Sequence, residues 1–573
     1  MFNLIGNLKY KYKKSKTTTI SKKDIKEGIN VHKDYIIKFK RNKIIAYDRN
    51  CDHLGGKIIS KNDQHICPLH SWKFYPETGK YENGIKKQKK TFKLKDNKII
   101  IKENKLFPEI TKFDTNEKIK IRFFNHAFFQ IESKDIKFAT DPWAIGPAFN
   151  TGWWLKNKTK NDWHEELNSC SFIYISHNHP DHLHPLTLSK VRKNMPIIVP
   201  NFVSDSTGRY LESLGFKNIQ RLEFQKEYQL KKTNLIISFL KSGDFREDSG
   251  IYFSIGKTTF LFDVDSNMVN FNKLPKVDVY ASSFAGGAGG YPLMFDNYSK
   301  ETQIQIIKKD KKITKIQKEK RIKEIKPKYF IPYAGFFVNK LTRDKRIKDL
   351  NEKNQIHDYE KTCKKLDVEI LNVEKNDEFY FDNSLIIKKV KNKSDFFKDI
   401  SSVKYLEFFK KEYDKVDLKF IENYFKVSKF KDNLVLYMSL TNDNFKSSYL
   451  HFKVDFSNKI IKFKVLDKIN LNNTLGKKNY SQKVLYLKCR KESFLNTIYN
   501  NCPWEDLLIG FQCKVLRYPN LYNLKFWYHF TNIYIGKKNT RYSSDCSSCD
   551  KFLQFIDNQI YSETINSRER KLV

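Results

Sequence analysis

Two short pairs of cysteine and histidine near the N-terminus could hold an iron–sulfur cluster. Cys51 and His53 are separated by one residue, and after thirteen further residues Cys67 and His70 form a second mixed pair. In a 2Fe–2S centre of the Rieske type, two thiolates bind one iron and two imidazoles bind the other, which raises the reduction potential. Zinc modules more often pair Cys with Cys and His with His, and zinc is the alternative. The spacing therefore predicts a Rieske 2Fe–2S cluster that accepts and passes single electrons.

A second run of ligand-capable side chains follows the apolar stretch 171–175. The run Ser-His-Asn-His-Pro-Asp-His places four candidate ligands on one loop at a strand end: His177, His179, Asp181 and His182. Alternate residues of such a loop can reach one metal, and the Asp–His pair can reach a second. This H-x-H-x-D-H pattern resembles the metallo-β-lactamase superfamily.

The remaining ligands of that superfamily come from distant strand ends, where this chain offers Asp244 and Asp265. Asp265 would bridge two metals or bind the second, and Asp263 is an alternative that could instead have a structural role. Asp244 stands where the superfamily usually has histidine, and the sequence shows no good candidate for the last histidine. The site is therefore expected to hold one or two metals, and its oxygen-rich ligands suit iron as well as zinc.

Three regions must position these residues. Residues 1–110 read as short strands and polar turns, which predicts an all-β Rieske domain. In residues 115–375, apolar strands alternate with helical stretches, which predicts an α/β domain. The superfamily resemblance makes this domain an αββα sandwich. Residues 376–573 read as α+β and carry no chemical motif. The clearest helix covers 302–325, with three isoleucines near one face: Ile306, Ile313 and Ile316.

The composition limits the partners. The chain has 573 residues and a formal net charge of +42. A lysine-coated surface explains this charge, and attraction to anionic ligands or to an acidic redox protein is the functional alternative. The sequence contains no nucleic-acid motif and no apolar run long enough for a membrane span. Scattered cysteines and the lack of a signal peptide favour the cytoplasm.

Several further segments resemble one family, the CMP-N-acetylneuraminate monooxygenases, and they extend over nearly the whole chain. They are residues 141–149, 152–155, 283–292, 332–338, 504–512 and 526–530. The resemblance implies a cytosolic hydroxylase that inserts one oxygen atom of O2 into the N-acetyl methyl group of a CMP-sialic acid. It also implies that NAD(P)H supplies the electrons indirectly, through cytochrome b5 or a ferredoxin-like donor with its reductase.

In this interpretation the six predicted ligands of the second site hold the oxygen-activating iron, and other residues contact the substrate. His126 is expected at the edge of the site, or else as a structural histidine. Trp153 and Trp154 could stack on the cytosine or pack in the core. Gly286 and Gly287 could let backbone N–H groups approach a phosphate, or form a plain turn.

Three alternatives stay open from the sequence. The same chemistry could act on another nucleotide-linked sugar acid. The second domain alone suggests a metallo-β-lactamase-type hydrolase with an accessory redox domain. A redox sensor or carrier with a degenerate second domain is the third. The role of residues 376–573 and the oligomeric state are not predicted.

Overall fold

The computed structural model describes residues 5–6, 10–51, 57–67, 72–82, 84, 86–108, 118–202, 204–224, 226–242, 246–266, 276–382, 385, 387–391, 395–470 and 482–534. Three predicted ligands, His53, His70 and Asp244, lie outside the described residues.

The N-terminal region consists of small antiparallel sheets. In sheet order their strands are Lys89–Lys90, Lys43–Asp48, Tyr35–Lys40 and Gly28–Val31; Phe92–Lys95, Lys98–Pro108 and Tyr10–Ser21; and Ile59–Lys61, Gln64–Ile66, Lys73–Tyr75 and Lys80–Tyr81. A short 3₁₀ helix covers Lys22–Asp24. The two predicted cluster cysteines, Cys51 and Cys67, are buried in one apolar cluster with Tyr47, Phe74 and Tyr81. The all-β prediction for this region is confirmed.

Two large mixed sheets form the middle of the molecule. The first runs in the order Ile5–Gly6, Glu227–Leu230, Leu235–Lys241, Ser249–Ile255, Thr258–Phe262, Val279–Ser283, Tyr329–Tyr333 and Glu369–Ile370. The second runs in the order Ile219–Leu222, Ile197–Pro200, Phe172–Tyr174, Lys137–Thr140, Phe128–Glu132, Ile119–Asn125, Glu378–Phe381 and Ile387–Val390. The last two strands of this sheet lie beyond residue 375, where the sequence places the start of the C-terminal region.

The main core lies between these two sheets. Tyr174 stacks on Phe239 of the facing sheet with ring centroids 5.2 Å apart, and Phe138 meets Phe253 edge-on at 5.4 Å. Both sheets contribute fully buried aromatic and β-branched side chains to one continuous cluster. Such strands are apolar on the face that packs against the other sheet, which explains why the sequence reads as apolar stretches.

Helices flank the sheets and connect the strands. Their bounds are Trp163–Asn168, Pro185–Leu188, Ser206–Ser213, Lys300–Ile325, Lys345–Leu350, Glu360–Lys365, Ser402–Glu412, Leu418–Lys426, Lys491–Tyr499, Glu505–Ile509 and Leu524–Tyr528. Thr342–Asp344 and Ile356–Tyr359 are 3₁₀ helices, and His529–Ile533 is a π-helical turn. None of the described helices is long and apolar enough to cross a membrane.

The long helix Lys300–Ile325 agrees with the predicted helix. Ser299 accepts a hydrogen bond from Thr302 N at the N-terminus, and Lys326 ends the helix in a left-handed conformation just before Pro327. Of the isoleucines near one face, Ile306 is buried and Ile316 is 52% exposed, whereas Lys318 is buried. Lys318 is buried because its polar partners, Ser282 and Asp263, lie beneath the helix.

The C-terminal region contains a five-stranded sheet among its described residues, in the order Lys462–Leu466, Ser448–Asp455, Leu434–Thr441, Lys483–Arg490 and Cys513–Tyr518. A small sheet of Pro147–Ala148, Trp153–Leu155 and Phe337–Val338 lies in the middle domain. Phe295 of the middle domain pairs with Val515 in an isolated bridge, so the C-terminal region contacts the middle domain directly. The predicted order, an all-β domain, an αββα domain and an α+β region, is confirmed.

Candidate metal centres

The H-x-H-x-D-H run lies at the carboxyl end of a strand, as its sequence predicts. Strand Phe172–Tyr174 pairs in parallel with Lys137–Thr140, so the segments that follow both strands meet at one edge of the sheet. Asp141 follows the second strand and accepts hydrogen bonds from Ser176 N and Ser176 Oγ, each 2.7 Å long. These bonds fix the start of the loop before its first histidine.

The first cluster of candidate ligands consists of His177, His179 and Asp265. His177 Nε2 and His179 Nδ1 are 2.9 Å apart, and an Asp265 carboxylate oxygen lies within 4.8 Å of both ligand nitrogens. Asp248 adds a second carboxylate, with Oδ1 3.9 Å from His177 Nε2. Two imidazoles and two carboxylates around one point could hold a divalent metal.

The second cluster consists of His126, Asp181 and His182, whose ligand atoms also lie within 4.8 Å of one another. Asp181 Oδ2 is 3.2 Å from His126 Nε2 and 3.3 Å from His182 Nε2. Asp265 Oδ2 is 3.5 Å from His182 Nε2, so this carboxylate lies between the two clusters. The arrangement has the ligands for a dinuclear site with Asp265 at its centre.

Buried polar atoms test whether a metal fits the second cluster. His126 Nδ1, Asp181 Oδ1 and His182 Nε2 are buried and form no hydrogen bond with the described residues. Leaving a buried polar atom unpaired costs about 1–3 kcal/mol. His182 Nε2 faces the carboxylates of Asp181 and Asp265 without such a bond, and a bound cation would satisfy these atoms, so the residues fit a metal.

In each motif histidine, the ring nitrogen that points away from the ligand clusters, here called the outer nitrogen, contacts a neighbouring side chain. His182 Nδ1 donates to Asp141 Oδ2 at 3.1 Å, and His177 Nδ1 lies 2.9 Å from Ser176 Oγ. His179 Nε2 lies 3.3 Å from Glu505 Oε2, and Glu505 comes from the C-terminal region. Such outer partners fix the tautomer and ring orientation of metal-binding histidines. Each motif histidine therefore turns its other nitrogen toward the ligand clusters.

Burial and neighbouring charges set the protonation states. Burial lowers the pKa of His177 well below its usual range, and positive charge on His182 and His179 lowers it further. Burial alone would raise the pKa of Asp181, yet the His182 charge and the His126 hydrogen bond hold it well below its usual range. His177 and Asp181 are therefore in the forms that bind metal cations. Burial would lower the pKa of His182, but Asp181 and Asp141 raise it well above its usual range, so metal binding at this histidine would release a proton.

The sequence predicted Asp244 as a metal ligand and named Asp263 as an alternative, and the structure bears differently on the two. Asp244 cannot be placed because it lies outside the described residues, whereas Asp248, which the sequence did not suggest, lies next to His177. Asp263 is fully buried and accepts hydrogen bonds from Tyr280 Oη at 2.6 Å and Ser282 Oγ. The structural alternative for Asp263 therefore fits its contacts.

The predicted substrate residues occupy different surroundings. His126 lies in the second ligand cluster, so a metal-binding role fits its position better than a substrate contact. Trp153 stacks on Phe337 at 3.5 Å, while Trp154 is fully buried and donates from Nε1 to Thr151 O at 3.0 Å.

Gly286 and Gly287 have φ values of +68° and +69°, which glycine adopts without strain. Gly287 O accepts a hydrogen bond from Asn351 Nδ2 at 2.8 Å. A Cβ atom on Gly287 would be 3.2 Å from Lys353 Cγ, so the loop passes beside a lysine.

Sequence reasoning gave no role to Glu505 or Asp141, which hold the outer nitrogens of His179 and His182. The only available signal was their occurrence in the segments 504–512 and 141–149, which resemble the monooxygenase family. Neither segment has a metal-binding spacing of its own.

Comparison with known proteins supports the order of the domains. A family model described as the Rieske [2Fe-2S] domain matches residues 11–97, and one described as the Beta-lactamase superfamily domain matches residues 120–265. The first implies a 2Fe–2S cluster, and the second implies a bound metal. The predicted combination of domains is confirmed.

Named relatives match this chain along most of its length. Cytidine monophosphate-N-acetylneuraminic acid hydroxylase from Macaca mulatta is 28% identical over 554 residues, covering 88% of this chain and 91% of that protein. The hydroxylase of the same name from Mus musculus is 27% identical over 555 residues, covering 88% and 93%. Among solved structures, CmlA, a diiron beta-hydroxylase from Streptomyces venezuelae, covers 48% of this chain and 55% of that chain, with 14% identity and a TM-score of 0.31.

Proposed function

We propose that this chain, a homologue of the cytidine monophosphate-N-acetylneuraminic acid hydroxylases along 88% of its length, is an iron-dependent monooxygenase. The proposed reaction converts the N-acetyl methyl group of CMP-N-acetylneuraminate to a glycolyl group. One oxygen atom of O2 enters a C–H bond and the other leaves as water, with two electrons and two protons consumed. The observation that carries the proposal is a Rieske domain fused to a domain with two ligand clusters joined by Asp265.

A redox metal must supply this chemistry, because no amino-acid side chain can activate O2 toward an unactivated C–H bond. His177, His179, Asp248 and Asp265 would hold one iron. His126, Asp181 and His182, with Asp265 between the two clusters, would hold another.

The protein contributes position and exclusion of water. The hydrogen bonds to Asp141, Ser176 and Glu505 hold the motif histidines in place, which preorganises the ligand set. His177, Asp181 and His182 are nearly inaccessible to solvent, with at most 3% of their surface exposed. A dry site strengthens electrostatic interactions and limits side reactions of a strong oxidant.

The N-terminal domain would accept single electrons on a cluster held by Cys51, His53, Cys67 and His70 and pass them to the second centre. NAD(P)H would be the indirect source, through cytochrome b5 or a ferredoxin-like protein with its reductase. The net charge of +42 favours both an acidic donor protein and an anionic substrate.

A line of aromatic side chains leads away from the first ligand cluster. The Phe149 ring lies 5.9 Å from His179 and 4.5 Å from Trp153, and Trp153 stacks on Phe337. Lys353 Nζ lies 3.2 Å from the centre of the Phe337 ring, at the end that borders the loop of Gly286 and Gly287. The three rings are buried in one apolar cluster, so core packing behind the first ligand cluster fits Trp153 better than stacking on the cytosine.

Incubation of the full-length protein with CMP-N-acetylneuraminate, O2 and a reducing system tests the proposal. Mass spectrometry should detect the gain of one oxygen atom, and H177A should abolish this gain while the visible spectrum of the cluster is unchanged. A H177A protein that still hydroxylates would refute the assignment of the oxygen site.

Two other outcomes distinguish the alternatives. Oxygen gain only on another nucleotide-linked sugar acid would keep the chemistry and change the substrate. Zinc in the second centre, with substrate cleaved in the absence of O2, would instead indicate a hydrolase that uses the same ligands.

A further inference from the structure

We propose that the C-terminal region is a working part of the metal centre, in which Glu505 positions His179. This inference rests on the second centre of the proposed function and gives a role to a region that carries no motif of its own. His179 turns Nδ1 toward His177 and Nε2 toward Glu505 Oε2, 3.3 Å away. A carboxylate on the outer nitrogen selects the tautomer that leaves Nδ1 free to bind a metal.

Glu505 is itself held on both sides. Tyr522 Oη donates to Glu505 Oε1 at 2.7 Å, so the carboxylate cannot turn away from His179 without breaking this bond. The Glu505 backbone N–H donates to Thr531 Oγ1 at 3.2 Å. The line His179–Glu505–Tyr522 therefore connects a candidate ligand to two segments of the C-terminal region.

The residue between the two first histidines is bound by the same region. Asn178 is buried and donates from Nδ2 to Thr531 O and Asn532 Oδ1, both at 3.2 Å. Arg209 of the middle domain donates to Asn532 O at 2.7 Å. The C-terminal region thus contacts the ligand loop at consecutive residues.

The backbones of the two regions also meet closely beside the site. A Cβ atom on Gly152 would lie 2.1 Å from Gly510 O, and one on Gly510 would lie 2.5 Å from Phe149 O. Only glycine allows this approach. Phe149 faces His179, so the contact brings the helix Glu505–Ile509 against the wall of the site.

The contact between the regions is close: Glu505 Oε2 lies 3.3 Å from His179 Nε2, and both side chains are largely buried. A carboxylate on an imidazole N–H makes a stronger hydrogen bond than a neutral acceptor does. A simple domain contact is the competing interpretation, and an isosteric substitution separates the two.

The experiment measures ferrous iron binding to the full-length protein with its cluster intact, by competition with a chelator. Glu505→Gln keeps the shape and can still accept from Tyr522, but it cannot hold the His179 tautomer as a carboxylate does. The affinity for the iron that binds in addition to the 2Fe–2S cluster should fall roughly 10–100-fold. Tyr522→Phe should weaken iron binding less, and Glu422→Gln, whose part-exposed carboxylate pairs with Lys426 on the helix Leu418–Lys426, should leave it unchanged.

Two controls make the result decisive. The thermal unfolding midpoint and the cluster spectrum of Glu505→Gln should match those of the wild type, since the domain contact is retained. Iron affinity and Fe(II) spectra equal to those of the wild type would overturn the inference and leave the proposed function standing. A wild-type protein that binds no metal beyond the cluster would contradict both.

Discussion

His126 is the candidate ligand that completes the second ligand cluster with Asp181 and His182. It lies in the turn between strands Ile119–Asn125 and Phe128–Glu132 with φ of +43°, a left-handed conformation that costs a non-glycine residue energy. Its backbone N–H donates to Asn125 Oδ1 at 3.1 Å, and its ring is brought to Asp181. Strain at a ligand-capable residue agrees with a functional role. With His126, the second cluster gains the histidine that the motif region lacks.

His126→Ala should therefore remove one class of iron from the protein. We expect metal analysis to show loss of the iron proposed for the second cluster, because removal of a direct ligand should cost more than the roughly 10–100-fold that loss of an outer partner costs. His164→Ala is the matched control, because His164 is an exposed histidine whose ring bonds to Lys190 O outside both clusters. Equal iron content in both variants would exclude His126 as a ligand.

His529 gives a prediction about pH. Burial lowers its pKa to about 4, although a hydrogen bond to Ser428 O opposes this shift. The unfolded histidine, with pKa about 6.5, binds a proton between pH 6.5 and 4 that the folded one does not, so stability falls as pH decreases. Between pH 7 and 5 this group should cost about 2 kcal/mol.

The check is urea unfolding of wild type and His529→Gln at both pH values. The glutamine amide can still donate to Ser428 O and does not titrate. The loss of unfolding free energy between pH 7 and 5 should be smaller in the variant by about 2 kcal/mol. An identical loss would show that His529 is not the group responsible.

At the level of elements, the helix Lys300–Ile325 supports the loop that carries Asp265. Arg321 Nη1 donates to Asp263 Oδ2 and to Ser266 O, each at 3.4 Å, so it contacts the residues on either side of the 264–265 pair. Lys318 Nζ lies 3.8 Å from Asp263 Oδ2 and bonds to Ser282 Oγ. The charged side chains of one helix thus hold the strand end that precedes Asp265.

Lys318→Met should leave the buried Asp263 carboxylate with one cation fewer. Breaking a buried ion pair in this way costs about 3 kcal/mol. We expect a lower thermal unfolding midpoint and faster loss of iron to a chelator, because the Asp265 loop is less well held. Lys320→Met, on the exposed face of the same helix, should change neither quantity. If both variants behaved alike, the support role would be wrong.

At the level of the whole molecule, the C-terminal region is joined to the middle domain by buried charge as well as by the metal site. Arg490 Nη2 lies 2.8 Å from Asp344 Oδ1, and both side chains are at most 1% exposed. Arg490 also donates from Nε to Asp443 O at 3.0 Å. Because the two partners come from different regions, this ion pair favours one specific position of the C-terminal region against the middle domain.

Arg490→Met should destabilise the protein by about 3–5 kcal/mol, since it leaves Asp344 buried and unpaired. The double variant Arg490→Met/Asp344→Leu should recover much of this loss, because apolar replacement of both partners is often neutral. Thermal unfolding measures both effects. Additive losses in the double variant would show that the two groups do not interact.

The sequence by itself determined the local chemistry. The mixed Cys–His pairs and the H-x-H-x-D-H run are short-range patterns, since their ligands lie on one loop or two, and the apolar strands that carry them follow from alternation and burial. Asp265 was also accessible from the sequence, because it follows an apolar strand and the superfamily resemblance implies further ligands at distant strand ends. The buried face of helix Lys300–Ile325 was not accessible from the sequence. Lys318 is buried there because its partners, Ser282 and Asp263, come from other strands.

Only the tertiary structure decided which distant residues join the loop. His126, Asp248 and Glu505 come from a strand turn before the motif, a loop after it and a helix of the C-terminal region, respectively. The sequence predicted His126 at the edge of the site or as a structural histidine, whereas Asp248 and Glu505 are ordinary polar residues in their own segments, and nothing in their local spacing marks them. Their role arises from the packing of two sheets and one further region around a single edge. Convergence of this kind depends on long-range contacts, which local sequence patterns do not encode.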